Sequence, residues 1–117
     1  MLRGENPTIY GDGEQSRDFI QVHDVVAGFL GAMDTQVTGE TFNIGTGRAT
    51  SVNSVLRELN RLLGTSFAGH HVPQVPGELR YSVADIAKAR RILDFEPLHR
   101  FEHSLATVVE DIQRIPN

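Results

Sequence analysis

The 117-residue sequence contains no cysteine, has no long apolar run and carries no excess of basic residues. Without thiols, neither a disulfide framework nor a cysteine-ligated zinc site can form. No apolar run approaches the roughly 20 residues that cross a bilayer, and the amino terminus has no signal-peptide core. The net charge of −4 argues against nucleic acid, since phosphate binding requires a basic surface. We therefore predict a cytoplasmic protein with no nucleic-acid partner and no membrane partner.

The composition that is present is typical of a globular protein, with 39% hydrophobic and 22% charged residues. The length fits one domain, so we predict a single domain over residues 1–117. A domain of this size buries only about two thirds of its unfolded surface, and its stability margin is correspondingly modest.

Apolar residues recur every three or four positions in four segments, which predicts four amphipathic helices. The first follows Asp24, whose carboxylate is a suitable N-cap. The clearest is the second, which Gly64 is expected to end. The predicted starts of the four helices are, in order, Asp24, Thr50 or Ser51, Asp85 and Phe101.

Short strands are predicted at 7–10, 17–22 and 41–44, where β-branched and aromatic residues stand between turn residues. The stretch 65–81, with two prolines and two glycines, predicts a loop with further short strands. The resulting order is a mixed α/β pattern. The 41–44 strand lies between two helices, as in a parallel crossover, yet the chain offers few strands to pair with it.

Four segments resemble, in order, the extended short-chain dehydrogenase/reductase family, specifically its NAD-dependent nucleotide-sugar epimerases and dehydratases. The segments are GDGEQSRDFIQVHDVV at 11–26, TFNIGTG with the following SVN at 41–53, PGELRYSVAD with the following KA at 76–89, and FEP at 95–97. The resemblance covers nearly the whole chain. It implies the carboxyl-terminal, substrate-binding portion of such an enzyme, without the main dinucleotide-binding sheet.

The groups that perform the family's chemistry are missing from this chain. Neither Gly-x-Gly pair is followed by the third glycine of a dinucleotide fingerprint. Neither tyrosine is followed four residues later by a lysine, so the Tyr-x-x-x-Lys catalytic pair is absent. We therefore assign no catalytic residue and no cofactor to this chain alone, which we predict to be inactive. The resemblance implies NAD for the intact enzyme.

The resemblance implies three substrate-binding residues: Arg17, Asn43 and Glu78. A guanidinium suits bidentate phosphate binding, although Arg17 could instead pair with Asp18 or Asp24. Asn43 could hold its own loop or reach a ligand. Glu78 corresponds to an acidic residue that reaches the nucleotide ribose, because a carboxylate accepts from paired hydroxyls; the alternative is a solvated loop carboxylate.

Two further features of the sequence bear on ligand binding. Val75 stands where the family commonly has a second phosphate-binding arginine, and Arg80 or Arg48 would have to replace it. Residues 99–103 match an H-x-x-E-H zinc pattern. They lie where a helix begins after Pro97 and no third ligand is evident, so no metal site is predicted.

Two hypotheses follow from these observations. In the first, the chain is the substrate-binding part of an epimerase, which is an isomerase, or of a dehydratase, and its partners are a nucleotide sugar and the missing amino-terminal half. In the second, the chain is a free-standing, non-catalytic interaction module derived from that family. Such a module would form a homodimer or higher oligomer, because unpaired strand edges and apolar surface invite a second copy.

Overall fold

The structure is a computed structural model that describes residues 1–115; the last two residues of the predicted domain, 116 and 117, lie outside the described part. It is a mixed α/β fold with short strands and four helices, as predicted. The strands are β1 (Thr8–Tyr10), β2 (Ser16–Arg17), β3 (Thr50–Ser51), β4 (His70–Val72) and β5 (Tyr81–Ser82). The helices are α1 (Val22–Asp34), α2 (Val52–Leu63), α3 (Ala87–Leu93) and α4 (Phe101–Arg114).

The strands form two small sheets. In the first, β1 pairs in parallel with β4. In the second, β2 is central, antiparallel to β3 and parallel to β5, so that Arg17 stands opposite Ser82. The backbone N–H of Ser16 also donates to the Arg80 carbonyl at 2.9 Å, so the second sheet brings the chain around Arg17 next to residues 80–82.

Helix α2 confirms the prediction made from its pattern. The Ser51 side chain accepts a hydrogen bond from the backbone N–H of Ser54 at 3.2 Å, which satisfies one of the unpaired donors at the helix start. Gly64 ends the helix in the left-handed conformation, with φ of 63°.

The first predicted helix start and the strand before it are wrong. Only Ser16 and Arg17 of the 17–22 region belong to a strand, and α1 begins at Val22 with Gln21 as its N-cap. The Gln21 side chain accepts from the N–H of His23, which places His23 in the first helical turn. Asp24 lies inside the helix, and its carboxylate binds groups that precede α4 instead of capping α1.

The predicted strand at 41–44 is also absent: these residues are not in a ladder with any strand of the described chain. A strand requires a neighbour to share its backbone hydrogen bonds. The third helix starts slightly later than predicted, at Ala87, whose N–H binds the Asp85 carboxylate at 3.0 Å.

The principal core lies between α3 and the 41–44 segment. Its buried residues are Ile86, Ala89 and Phe95. The side chains that pack against it are Ile20, Phe42, Ile44, Ala84 and Leu93. Among residues 1–115, no helix is both long enough and apolar enough to cross a membrane.

Candidate substrate-binding site

Arg17 and Glu78, which are 61 positions apart in the sequence, form an ion pair. Arg17 Nη2 lies 3.2 Å from Glu78 Oε1, and Arg17 Nη1 donates to the Ser16 carbonyl at 2.8 Å. The parallel pairing of β2 with β5 explains the approach, since Glu78 lies three residues before β5. Two of the three predicted substrate-binding residues are therefore neighbours.

The second carboxylate oxygen of Glu78 is an unused acceptor. Glu78 Oε2 is buried and has no hydrogen-bond partner among the residues the structure describes. A buried carboxylate oxygen without a donor is costly and is normally satisfied. Glu78 therefore retains an acceptor that none of the described residues satisfies.

The alternative partners predicted for Arg17 are both engaged elsewhere. Asp18 binds the backbone of the 46–47 loop, and Asp24 binds the segment before α4. The predicted alternative, in which Arg17 pairs with one of these two acids, is therefore wrong. Arg17 pairs with Glu78 instead. The sequence alone could not indicate this pair because β2 and β5 are only two residues long.

Asn43 lies in the groove that Arg17 also lines. The groove has a volume of about 530 Å³ and runs between the 41–44 segment and residues 82–85. Asn43 Nδ2 donates to the Asp85 carbonyl at 3.2 Å, so this side chain holds its own segment against the start of α3. Its Oδ1 is not used in that contact. Glu78 does not line the groove and adjoins it through Arg17.

Asp18 organises one wall of this groove, a role that the sequence reasoning missed. Its carboxylate accepts from the N–H groups of Thr46 and Gly47 at 2.9 Å each, from that of Ala84 at 3.3 Å, and from the Thr46 hydroxyl. Desolvation raises the pKa of Asp18, but the hydrogen bonds from Thr46, Gly47 and Ala84 outweigh it and lower the pKa overall.

Gly45 allows this close approach. A Cβ at that position would lie 2.6 Å from both Asp18 Oδ2 and the Ala84 Cβ, distances that real Cβ atoms essentially never show. The sequence contained two signals for this contact: an acid directly after Arg17, and a separate Gly-Thr-Gly segment whose backbone N–H groups can bind a carboxylate. The signals were weak, because such a segment also fits an ordinary turn.

The positions considered for a second phosphate contact are not equivalent in the structure. Val75 is half-exposed and contributes no charge. Arg80 is held by Asp12, with Nη1 to Oδ1 and Nη2 to Oδ2 both at 2.8 Å. This bidentate hydrogen bond lowers the pKa of Asp12 and raises that of Arg80. Arg48 is exposed in the loop after Gly47.

The region of the H-x-x-E-H pattern is structural. Asp24, which is 2% exposed, accepts from the N–H groups of Leu98 and His99 at 3.1 Å and from His99 Nδ1 at 2.8 Å. Desolvation raises the pKa of Asp24, while the His99 and backbone hydrogen bonds more than offset it, so the pKa is lowered. Among residues 1–115, no three His, Cys, Asp or Glu side chains converge on a metal position.

Neither Gly-x-Gly segment has the arrangement of a dinucleotide-binding loop. The Gly11–x–Gly13 turn connects β1 to β2 and does not open a helix. In the Gly-Thr-Gly segment, the N–H groups of Thr46 and Gly47 are occupied by the Asp18 carboxylate and cannot also receive a pyrophosphate.

Comparison with known proteins places this fold in a family of nucleotide-sugar enzymes. Residues 1–45 match the model of the NAD-dependent epimerase/dehydratase family. The UDP-N-acetyl-alpha-D-glucosaminuronate decarboxylase of Bacillus cytotoxicus is 30% identical over 99% of this chain and 38% of its own length. The UDP-glucose 4-epimerase of Mycolicibacterium smegmatis is 33% identical over 94% of this chain and 35% of its own.

Solved structures give the same result. The UDP-glucose 4-epimerase of Thermotoga maritima, crystallised with UDP-glucose, superposes with a TM-score of 0.92 and 40% identity over 97% of this chain. A UDP-glucuronic acid 4-epimerase of Bacillus cereus, in complex with UDP-glucuronic acid and NAD, superposes with a TM-score of 0.87 and 31% identity. In both, the match covers 37% of the relative's chain.

The fold and these matches define the class of protein to which the chain belongs. The chain belongs to the NAD-dependent epimerase/dehydratase family and corresponds to the carboxyl-terminal portion of an extended short-chain dehydrogenase/reductase. It spans little more than a third of the length of the relatives it matches.

Proposed function

We propose that this chain is the substrate-binding portion of an NAD-dependent nucleotide-sugar epimerase or dehydratase, and that it forms one domain that is inactive alone. The observation that carries the proposal is the Arg17–Glu78 pair, in which a cation that lines the groove contacts an acid that adjoins it. Solved relatives carry UDP-sugars in their crystals, which favours a UDP-sugar as the ligand.

Each of the three residues has a separate role in this proposal. Arg17 binds the diphosphate, exchanging its single contact with Glu78 for a charge-assisted contact to phosphate oxygen. Glu78, released by Arg17, accepts from a ribose hydroxyl through its carboxylate. Asn43 keeps the groove wall in position through Asp85 and offers Oδ1 to the ligand.

The reacting groups belong to the rest of the intact enzyme in this proposal. NAD would supply the hydride chemistry when bound to the dinucleotide-binding half. This chain's contribution is to hold and orient the sugar nucleotide, which lowers the entropic barrier of the reaction.

Calorimetric titration of the chain with UDP-, dTDP- and GDP-sugars tests the proposal. We expect heat with one nucleotide class, at weak affinity because Val75 supplies no second cation. Replacement of the exposed Arg114 by alanine is the matched control for Arg17→Ala, since it also removes one positive charge. If no nucleotide sugar binds at millimolar concentration, the proposal is wrong.

A second candidate function is the free-standing oligomeric interaction module. The observation that favours it is the exposed apolar side of α1, where Phe29 is 68% and Met33 is 80% exposed. A surface of this kind on an isolated domain marks an interaction site. Sedimentation equilibrium distinguishes the two functions: a stable dimer that binds no nucleotide sugar favours the module.

A further inference from the structure

Glu78 lies on a surface turn that has few contacts of its own to hold it. The turn covers residues 75–80, and all of them except Glu78 are exposed. Gly77 has φ of +80°, and the Glu78 N–H donates to the Val75 carbonyl at 3.2 Å. Val75 and Leu79 are 46% and 64% exposed, so neither anchors the turn by burial. The position of the Glu78 carboxylate therefore depends on contacts that the turn makes with other parts of the chain.

Arg80, two residues after Glu78, attaches the end of this turn at two points. Its carbonyl accepts from the Ser16 N–H at 2.9 Å. Its guanidinium binds both carboxylate oxygens of Asp12, at 2.8 Å each. A bidentate pair of this kind fixes direction as well as distance. The backbone bond and the ion pair together hold the residues around Glu78 against β2.

Asp12 is itself fixed on the neighbouring turn, residues 11–14. Its Oδ1 accepts from the Glu14 N–H at 2.9 Å, and its carbonyl accepts from Asn53 Nδ2 at 2.9 Å. The Asn53 N–H donates to the Gly13 carbonyl at 3.0 Å. Gly13 has φ of +76°, and a Cβ there would lie 2.1 Å from Asn53 Oδ1, so glycine is required for this close approach. Asp12 is therefore a fixed anchor that is tied to the start of α2.

The exposure of the Asp12–Arg80 pair limits what it contributes to global stability. The Asp12 side chain is 54% exposed and the Arg80 side chain 58%, and exposed ion pairs add little to the free energy of unfolding. The pair nevertheless joins residues that are 68 positions apart, and it restrains a turn that has few other contacts. We therefore expect its main effect on the local order of the turn and not on the folding of the domain.

We propose that Asp12 and Arg80 are positioning residues for Glu78. They hold the 75–80 turn so that the Glu78 carboxylate stays beside Arg17 and within reach of the ligand. This inference rests on the proposed function, in which Glu78 accepts from the ribose hydroxyls. It gives Arg80 a role different from phosphate binding, since both of its terminal nitrogens already bind Asp12.

Order in the turn before binding should favour the contact to the ribose in particular. A carboxylate that is already in place loses little conformational freedom when the ligand binds, so more of the contact energy is retained as affinity. Arg17 lies on β2, outside the turn, so its contact to phosphate should not depend on Arg80. Loss of the Arg80 cation should therefore weaken recognition of the ribose hydroxyls and preserve recognition of the phosphates.

Nuclear magnetic resonance relaxation of the ligand-free protein tests the positioning directly. Arg80→Met keeps a long side chain and removes the cation, whereas Arg80→Lys keeps the charge. We expect the order parameters of the 77–79 amides to fall from about 0.85 to below about 0.6 in Arg80→Met and to recover in part in Arg80→Lys. Arg61→Met is the matched control, since the Arg61 side chain is 64% exposed and pairs with Glu58 within α2.

Calorimetry with UDP and with a UDP analogue that lacks both ribose hydroxyls tests the consequence for the site. We expect the wild type to prefer UDP, and we expect this preference to fall at least about fivefold in Arg80→Met, because a mobile carboxylate binds the hydroxyls less well. The Arg61→Met control should keep the wild-type preference. All variants should melt within about 5 °C of the wild type, since the altered ion pairs are exposed.

Two results would overturn the positioning role. One is an Arg80→Met variant whose order parameters at 77–79 equal those of the wild type. The other is a melting temperature that falls by more than about 5 °C in Arg80→Met but not in the control, which would make Arg80 a support of the whole fold. If the wild type binds neither ligand, or binds both equally, the ribose contact of the proposed function is wrong. The relaxation data on the free protein still decide the positioning in that case, so the two failures are distinguishable.

Discussion

Replacement of Asp18 by asparagine is the sharpest perturbation that the structure offers near the groove. The Asp18 carboxylate is bound by three backbone N–H groups and one hydroxyl, contributed by residues 46, 47 and 84. Asparagine keeps the shape and one acceptor oxygen. Its NH2 group replaces the second oxygen, so that a donor faces the backbone N–H donors. The substitution therefore removes charge assistance and leaves at least one donor unsatisfied.

The expected loss of stability can be worked from these contacts. A hydrogen bond to a charged group contributes about 1.5–3 kcal/mol, and an unsatisfied donor costs about 1–3 kcal/mol. Because Asp18 is only part-buried, we expect a total near 2–4 kcal/mol. For a domain of this size the melting temperature should fall by on the order of 10 °C.

The Asp18→Asn substitution should also change how the free energy of unfolding depends on pH. The pKa of folded Asp18 is lower than the ordinary value of 3.8, so the folded state binds its proton less readily than the unfolded chain. This contribution is complete above about pH 5 and is lost as the pH falls through 3.8 toward the folded pKa. The Asp18→Asn variant should lack this part of the acid sensitivity.

Urea unfolding between pH 3 and pH 7 measures both effects. Asp111→Asn is the matched control, because Asp111 is an exposed acid on α4 whose contact to Arg114 is 3.5 Å. We expect the control to change stability by less than about 0.5 kcal/mol. If Asp18→Asn unfolds like the wild type with an unchanged acid limb, the assigned role of Asp18 is wrong.

Three further substitutions have defined outcomes. Asp24→Asn should cost about 2 kcal/mol in urea unfolding and weaken the loss of stability below pH 4, since the pKa of this buried acid is lowered. Gly69→Ala should cost about 1–2 kcal/mol in thermal unfolding, because φ is +82° and the new Cβ would lie 2.5 Å from the Ile9 Cδ1. Val75→Arg should tighten UDP-sugar binding about tenfold in calorimetry, whereas the exposed-site control Val37→Arg should not.

The sequence predicted the elements that depend on local signals. Helix α2 has a regular apolar period, a serine cap and a terminal glycine, and all three act within a few residues. The start of α1 was missed because Phe19, Gln21 and His23 alternate like a strand, while Gln21 caps the helix one turn earlier than Asp24. Asp24 looked like a cap and serves instead a segment 74 residues away.

The 41–44 segment shows a different limit. Its β-branched and aromatic residues predict a strand, and its side chains do alternate between half-buried and exposed positions. It forms no ladder because strand formation depends on a neighbour, and the described residues provide none beside it. Local composition predicts a tendency to form a strand, but the strand forms only when a neighbouring strand pairs with it.

The residues of the candidate site were predicted one by one, and their arrangement was not predicted. The resemblance indicated Arg17, Asn43 and Glu78 separately. The contact between Arg17 and Glu78 depends on the parallel pairing of two-residue strands, which leaves no periodic signal in the sequence. The support from Asp18 depends on the close approach that Gly45 allows, which is visible only in three dimensions.

The most direct test of the central claim separates phosphate recognition from nucleoside recognition at Arg17. Nuclear magnetic resonance titrations with UDP-glucose and with uridine are compared for the wild type, Arg17→Ala and the control Arg114→Ala. We predict that Arg17→Ala weakens UDP-glucose binding at least about tenfold and leaves uridine binding unchanged, while the control alters neither. Equal binding of UDP-glucose by the wild type and Arg17→Ala would contradict the assignment of this groove as the nucleotide-sugar site.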